Sequence, residues 1–213
     1  MQKIIRYFKW LPPRPLIYLS GNSSCFNIFT HLTEKERLLL YRLALSLPDN
    51  CNVLEVGSYL GASASFLASG VKGSGGRVFC VDTWMNEGMS EGLRDTYDYF
   101  LANTKQFGNA IIPLRGRSDR IAQKFNQKID LLFIDGNHSY EELNADIAAW
   151  FPKLNVNALA VFHDYQWGQW GEVVQKVVDE LVRPISLDDG NIVDSIYWTR
   201  IRTTRIRSKQ PHD

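Results

Sequence analysis

Residues 52–63 read Asn-Val-Leu-Glu-Val-Gly-Ser-Tyr-Leu-Gly-Ala-Ser. The first five are short, apolar and β-branched, the composition of a buried strand. Gly57 and Gly61 punctuate the turn that follows, and a helix is expected near 62–69, stopping at Gly70. A strand that runs into a glycine turn and then a helix is a ligand-binding position in open α/β sheets. Gly57 lets the chain turn tightly, and Gly61 lets a ligand approach the backbone. The spacing G-x-x-x-G is neither the G-x-G-x-x-G of dinucleotide folds nor the G-x-x-x-x-G-K-[ST] of a P-loop. Alone, two glycines are equally readable as a tight structural turn.

Strands and helices alternate outward from this stretch. Strands are expected at 77–81, ending at Asp82, and at 110–114, where Pro113 points to a sheet edge. Two more are expected at 129–134 and 158–162. Helices fit 34–47, 93–106 and 119–126, and another over which Leu143, Ile147 and Trp150 share one face. Thr33 with Glu36, and Ser139 with Glu142, form capping boxes. A later helix carries the stripes Val173/Val177/Leu181 and Val174/Val178/Val182. Asp188-Asp189-Gly190-Asn191 reads as a hairpin turn before a long strand over 192–201. This alternation predicts an α/β fold: a Rossmann-like, doubly wound, mostly parallel sheet with a C-terminal antiparallel hairpin. Residues 1–32 read as an N-terminal arm rich in proline and aromatics, 33–202 as the domain, and 203–213 as a basic tail. An extended arm would pack across a homodimer or close over the site.

At 213 residues there is room for one such domain and no second one. A formal net charge of +1 makes no global case for nucleic acid as a partner, and none is expected. No apolar run approaches the roughly 20 residues of a membrane helix, and Pro12, Pro13 and Pro15 interrupt what would be a leader peptide. Cys25, Cys51 and Cys80 cannot all pair and none lies in a CxxC, as expected of reduced thiols in a cytoplasmic protein.

Chemistry gathers at the strand ends. Glu55, Asp82, Asp135 and Asp164 all fall at or just past the carboxyl end of a predicted parallel strand. Asp82 can accept hydrogen bonds from ribose hydroxyls and would repel a 2′-phosphate. Gly116-Arg117-Ser118-Asp119 supplies small and polar groups suited to an adenine edge. Two further runs stand out: Asp135-Gly136-Asn137-His138-Ser139-Tyr140 and His163-Asp164-Tyr165.

Residues 53–63 resemble the first motif of class I methyltransferases, in the variant used by catechol-type O-methyltransferases. Residues 131–140 with 160–165 resemble more specifically the family of macrocin-type sugar O-methyltransferases and cephalosporin hydroxylase-like methyltransferases. The likeness covers about residues 50–165. It implies S-adenosylmethionine as cofactor, with Glu55, Gly57 and Ser58 along its methionine half and Ser63 near its carboxylate. Gly61 belongs to the same turn. Asp82 would hold the ribose with Thr83 and Trp84 beside it, and Arg117 and Ser118 would flank the adenine. Asp135 would face the cofactor's amino group, the acceptor or a metal. Two departures stand against the pattern: Asn157-Ala158 replaces a Gly-Gly, and His163 replaces the first of two consecutive acids found in relatives with a metal site.

Methyl transfer to a hydroxyl needs a positioned acceptor and a base or divalent ion to ionise it. Asp135, His163 and Asp164 form a candidate site for Mg²⁺ or another divalent metal. His138 and Asp135 are the candidate catalytic pair, with His138 as base. Tyr165, Trp167 and Trp170 would stack on a small-molecule or carbohydrate acceptor, and residues 83–98 would form a lid. Two other functions fit a Rossmann-like chain: an NAD-dependent oxidoreductase or sugar-nucleotide enzyme, and a non-catalytic cofactor-binding relative.

Overall fold

The computed structural model describes residues 11–87, 92–137, 139–168 and 170–202. Seven strands form one sheet in the order β3-β2-β1-β4-β5-β7-β6. They are β1 (Asn52–Val56), β2 (Arg77–Asp82), β3 (Ile111–Arg115), β4 (Ile129–Ile134), β5 (Leu154–Phe162), β6 (Asn191–Val193) and β7 (Ile196–Arg200). The first five are parallel, and β7 inserts antiparallel between β5 and β6. Helices α1 (Pro13–Leu19), α2 (Glu34–Leu45), α3 (Ala62–Val71), α4 (Tyr97–Thr104), α5 (Ser118–Lys124), α6 (Tyr140–Trp150) and α7 (Gly171–Val177) surround it.

Two apolar cores explain the layers. Leu40 and Ala44 of α2, Ala64 and Leu67 of α3 and Phe100 of α4 pack on one face. Ala122 of α5, Leu143 and Ile147 of α6 and Val174 and Val177 of α7 pack on the other. The strands alternate accordingly: Val53 and Leu131 belong to the first core, and Leu54 and Leu132 to the second. Chain order runs outward from β1 to β3 and returns at β4, so a crevice opens above the β1/β4 junction at the carboxyl ends of the strands. Pro113 sits on edge strand β3, where its missing N–H costs no ladder bond to a further strand.

Three expectations need correction. The arm is not extended: Pro13 opens a short helix, suited to proline because the first-turn N–H has no intrahelical partner. Leu16, Ile17 and Cys25 then pack on Tyr41, Leu45 and Phe66 of the same chain. Strand β5 starts earlier than expected, at Leu154, and carries an irregularity in which Asn157 adopts φ 66°. Asparagine tolerates that left-handed conformation better than most residues, which suits it to the place of the family's Gly-Gly. The hairpin turn lies at Asp194-Ser195, not at 188–191. Asp188-Asp189-Gly190 instead bulges out of the strand, with Gly190 N–H donating to Asp188 Oδ1. Tyr7, Phe8, Trp10 and the basic tail lie outside the described residues. Among the described ones, no helix is long and apolar enough to cross a membrane, and the three cysteines are buried and outside any disulfide.

Tertiary bonds explain why the turn moved. Glu36 Oε1 accepts from both Ser195 N–H (2.8 Å) and Ser195 Oγ–H (2.6 Å). Its Oε2 accepts from Thr33 N–H (2.7 Å), completing the predicted capping box, while Thr33 Oγ1 donates to Asp194 Oδ2 (2.7 Å). Burial would raise the Glu36 carboxyl, but bonds from His163, Ser195 and Thr33 outweigh it and lower the group from 4.5 to about 2. A carboxyl depressed by folding stabilises fully above its unfolded value and loses that contribution as pH falls towards its folded one. Urea midpoints measured against pH should therefore fall between about 4.5 and 2 in the wild type. Glu36→Ala should remove about 3–5 kcal/mol at neutral pH and flatten that slope.

Candidate functional site

The backbone carries the sheet pattern one residue past each strand. Gly57 N–H donates to Val81 O (3.0 Å), Asp135 N–H to Val56 O (2.9 Å), Gly116 N–H to Asp82 O (2.8 Å) and His163 N–H to Ile134 O (3.1 Å). Four strand ends are thereby fixed around one cavity of about 880 Å³. Its lining runs from Arg117, Ser118 and Asp146 on the α5/α6 side to Glu36, His163 and Asp194 on the side of α2 and the hairpin.

Gly57 is required by sterics. It has φ 85°, and a Cβ there would overlap the Asp135 carbonyl. Gly61, also at positive φ, is buried outside the cavity lining, and a Cβ there would lie 2.6 Å from Thr104 Cγ2 on α4. Asp82 Oδ2 accepts from Ser58 N–H (2.8 Å) and Tyr59 N–H (2.9 Å), and Oδ1 from Trp84 N–H (2.7 Å). The carboxylate thus clamps the glycine turn, and three of its roughly four lone-pair sites are taken. That leaves room for one further donor, where two ribose bonds were expected.

Other predicted residues divide by burial. Ser58, Ser63, Thr83, Arg117, Ser118 and Asp135 line the cavity. Glu55 does not: it is 0% exposed, beneath the turn, where it accepts from Ser58 Oγ–H (2.6 Å). Burial pushes its carboxyl up to about 7, and its Oε1 has no hydrogen-bond partner. Trp84 is likewise 0% exposed, packed against Tyr97 and Phe100 with its indole N–H on Tyr59 O (2.9 Å). Tyr165 is buried against Tyr197 and accepts from Arg183 (3.1 Å). The aromatic loop reaches the cavity through Trp167 and Trp170, 66% and 45% exposed. His138 and residues 88–91 of the expected lid lie outside the described residues.

The structure brings Asp135, His163 and Asp164 together, with ligating atoms within 4.8 Å of one another. His163 Nδ1 is 2.9 Å from Asp135 Oδ1 and 3.4 Å from Asp164 Oδ2, and Nε2 is 3.6 Å from Glu36 Oε2. Burial alone would lower the imidazole's pKa, but Asp135 first, then Asp164 and Glu36, hold it well above the usual histidine value. Sequence reasoning missed Glu36 as a member of this cluster, because a capping box already accounted for it. It also missed the segment from Phe29 to Thr33, which lines the cavity with Phe29 set edge-on to His31, itself stacked on Tyr59. Asp146 was missed too, although an acid between Leu143, Ile147 and Trp150 on a core-facing stripe was a readable signal.

Comparisons with known proteins meet this geometry directly. A family model described as a methyltransferase domain matches residues 54–165, more than half the chain. The chain belongs to that family of methyltransferases. Its fold is that of class I, S-adenosylmethionine-dependent members. Cofactor-bound Rv0187 from MTB superposes with a TM-score of 0.63 at 15% identity, covering 90% of each chain. An O-methyltransferase from Bacillus cereus in complex with SAH gives 0.60 at 16%, covering 85% of this chain and 88% of that one. An rRNA methylase from Streptococcus thermophilus gives 0.56 at 10%, covering 81% and 99%. Two uncharacterized proteins are each 26% identical in the matched region: y4gI of Sinorhizobium fredii and R132 of Acanthamoeba polyphaga mimivirus. The matches cover 57% and 64% of this chain but only 15% and 62% of those proteins. Family membership favours methyl transfer over the dinucleotide-dependent alternative.

Sterics at the two glycines generate a test. Gly57→Ala places a methyl against backbone at positive φ, and should cost more than the about 1–3 kcal/mol of the strain alone. Gly61→Ala meets a side chain, so adding Thr104→Ser, which deletes Cγ2, should recover part of its loss. Thermal unfolding of the three variants checks both outcomes.

Proposed function

We propose that this protein is an O-methyltransferase that transfers the S-adenosylmethionine methyl group to a hydroxyl of a small molecule or sugar. The observation that supports this best is the continuity of the cavity from the Gly57 turn to the Asp135–His163–Asp164 cluster. Cofactor and acceptor then share one cavity, with Ser58, Ser63 and Thr83 along the cofactor, Asp82 at its ribose, and Arg117 and Ser118 at its adenine. Glu55 would act through Ser58, whose hydroxyl it fixes. Exposed Phe29, Trp167 and Trp170 offer ring faces to an acceptor, the groups on which sugars and aromatics stack. Acid groups lining the acceptor end favour an uncharged or cationic acceptor over a nucleic acid.

Two carboxylates and one imidazole suit a divalent ion, so Asp135, His163 and Asp164 would hold Mg²⁺ or another such metal, which when bound favours the ionised acceptor oxygen. His163 can serve as a ligand only by giving up the hydrogen that it shares with Asp135. Glu36 keeps the ring oriented from its far side. The competing device is His138 as general base, with Asp135 positioning the acceptor. Release of S-adenosylhomocysteine over an acceptor panel that includes deoxysugars, phenolics and an rRNA fragment tests the class. No turnover with any acceptor, despite cofactor binding, would favour a non-catalytic relative. With an acceptor in hand, chelator should abolish activity and Mg²⁺ or Mn²⁺ restore it, and Asp164→Asn should stop turnover with the cofactor still bound. Full activity of metal-free protein, with His138→Ala slowing kcat by on the order of 10²–10⁴, would reverse the choice of device.

A further inference from the structure

Asp146 is a carboxylate in an unusual place. It lies on α6 between Leu143 and Ile147, whose side chains are core, yet it lines the cavity and is only 9% exposed. Among the described residues, Ser118 is the polar side chain that does most to offset its burial. Trp150 Nε1–H donates to Ser118 Oγ (2.8 Å), which holds that hydroxyl in place beside Asp146. Asp146 has roughly four lone-pair sites, no ion pair or backbone N–H among the described residues fills them, and the residue lines the cavity. Burying a carboxylate with so few partners is unfavourable unless a ligand donor completes it.

Its location says which part of a ligand that would be. The cavity end formed by Arg117, Ser118 and Asp146 is the one away from Glu36, His163 and Asp194, with the Asp82 clamp among the strand ends between. With the cofactor bound as proposed above, on which this inference rests, the nucleoside base falls at that end. We propose that Asp146 selects adenine by accepting a hydrogen bond from its exocyclic amino group. Adenine presents a donor there and hypoxanthine an acceptor oxygen, which an ionised carboxylate repels. Burial raises the Asp146 carboxyl to about 6, with Glu142 and Asp119 adding to the rise, Ser118 opposing it first and Arg117 after. The group is thus largely an acceptor at neutral pH and becomes a mixed donor and acceptor below it.

Calorimetry with S-adenosyl-L-homocysteine and S-inosyl-L-homocysteine on the full chain tests the assignment. The wild type should bind the adenine compound and discriminate strongly against the hypoxanthine one. Asp146→Ala should weaken the adenine compound by on the order of 10- to 100-fold and collapse the preference. Asp146→Asn keeps the shape and can turn its amide to donate, so it should gain affinity for the hypoxanthine compound, an effect that loss of structure cannot produce. It also carries the test if the alanine variant fails to fold. An unchanged preference ratio in a folded Asp146→Asn overturns the inference and leaves the cofactor reading standing. Failure of the wild type to bind S-adenosyl-L-homocysteine overturns both.

Discussion

A glycine α-carbon pressed against a peptide bond holds this site together. Gly57 lies so close to the Asp135 carbonyl that no side chain fits between them. The paired strands β1 and β4 end together there, at the point where the strand order reverses, with Asp135 beside the glycine turn. Asp82 then fastens the same turn from β2 through two backbone N–H groups. Charge-assisted bonds of this kind are roughly twice as strong as neutral ones, so the turn is braced from both neighbouring strands before any ligand arrives.

The acceptor end is organised by charge instead. Three carboxylates, from α2, the end of β4 and the turn after β5, converge on the His163 ring. A buried imidazole without them would be neutral. Asp164 reaches its place only by adopting φ 57°, a left-handed conformation that costs an aspartate something and is held by the turn around it. Gln166, at φ 58°, continues the irregular chain that leads to exposed Trp167.

Much of this was legible in the sequence. Strand–helix alternation and the edge proline gave the sheet its class, and Thr33 with Glu36 marked the start of α2 correctly. The acids at four strand ends pointed to the right edge of the sheet. Misreadings share a cause: local pattern cannot show what a distant element demands. Asp188-Asp189-Gly190-Asn191 has good turn chemistry, yet Glu36 and Thr33 capture Asp194 and Ser195 and the chain reverses there. Trp84 follows the ribose acid and looks like a ligand wall, but α4 buries it. Gly61 looks like a ligand contact, while the nearest atom to its missing side chain is on Thr104. Asp146 could have been found, because an acid among apolar neighbours at helical spacing is out of place on a core-facing stripe.

The bond between Glu36 and Ser195 spans 159 positions of the chain. At the roughly 5–20 residues per second of protein synthesis, Glu36 leaves the ribosome on the order of ten seconds before its partner exists. During that interval α2 has no hairpin to cap, and the carboxylate stays hydrated. The sheet from β1 to β5 can assemble meanwhile, since each of its strands precedes the hairpin. The wall formed by α2 and the hairpin turn therefore cannot be completed before the hairpin has been made.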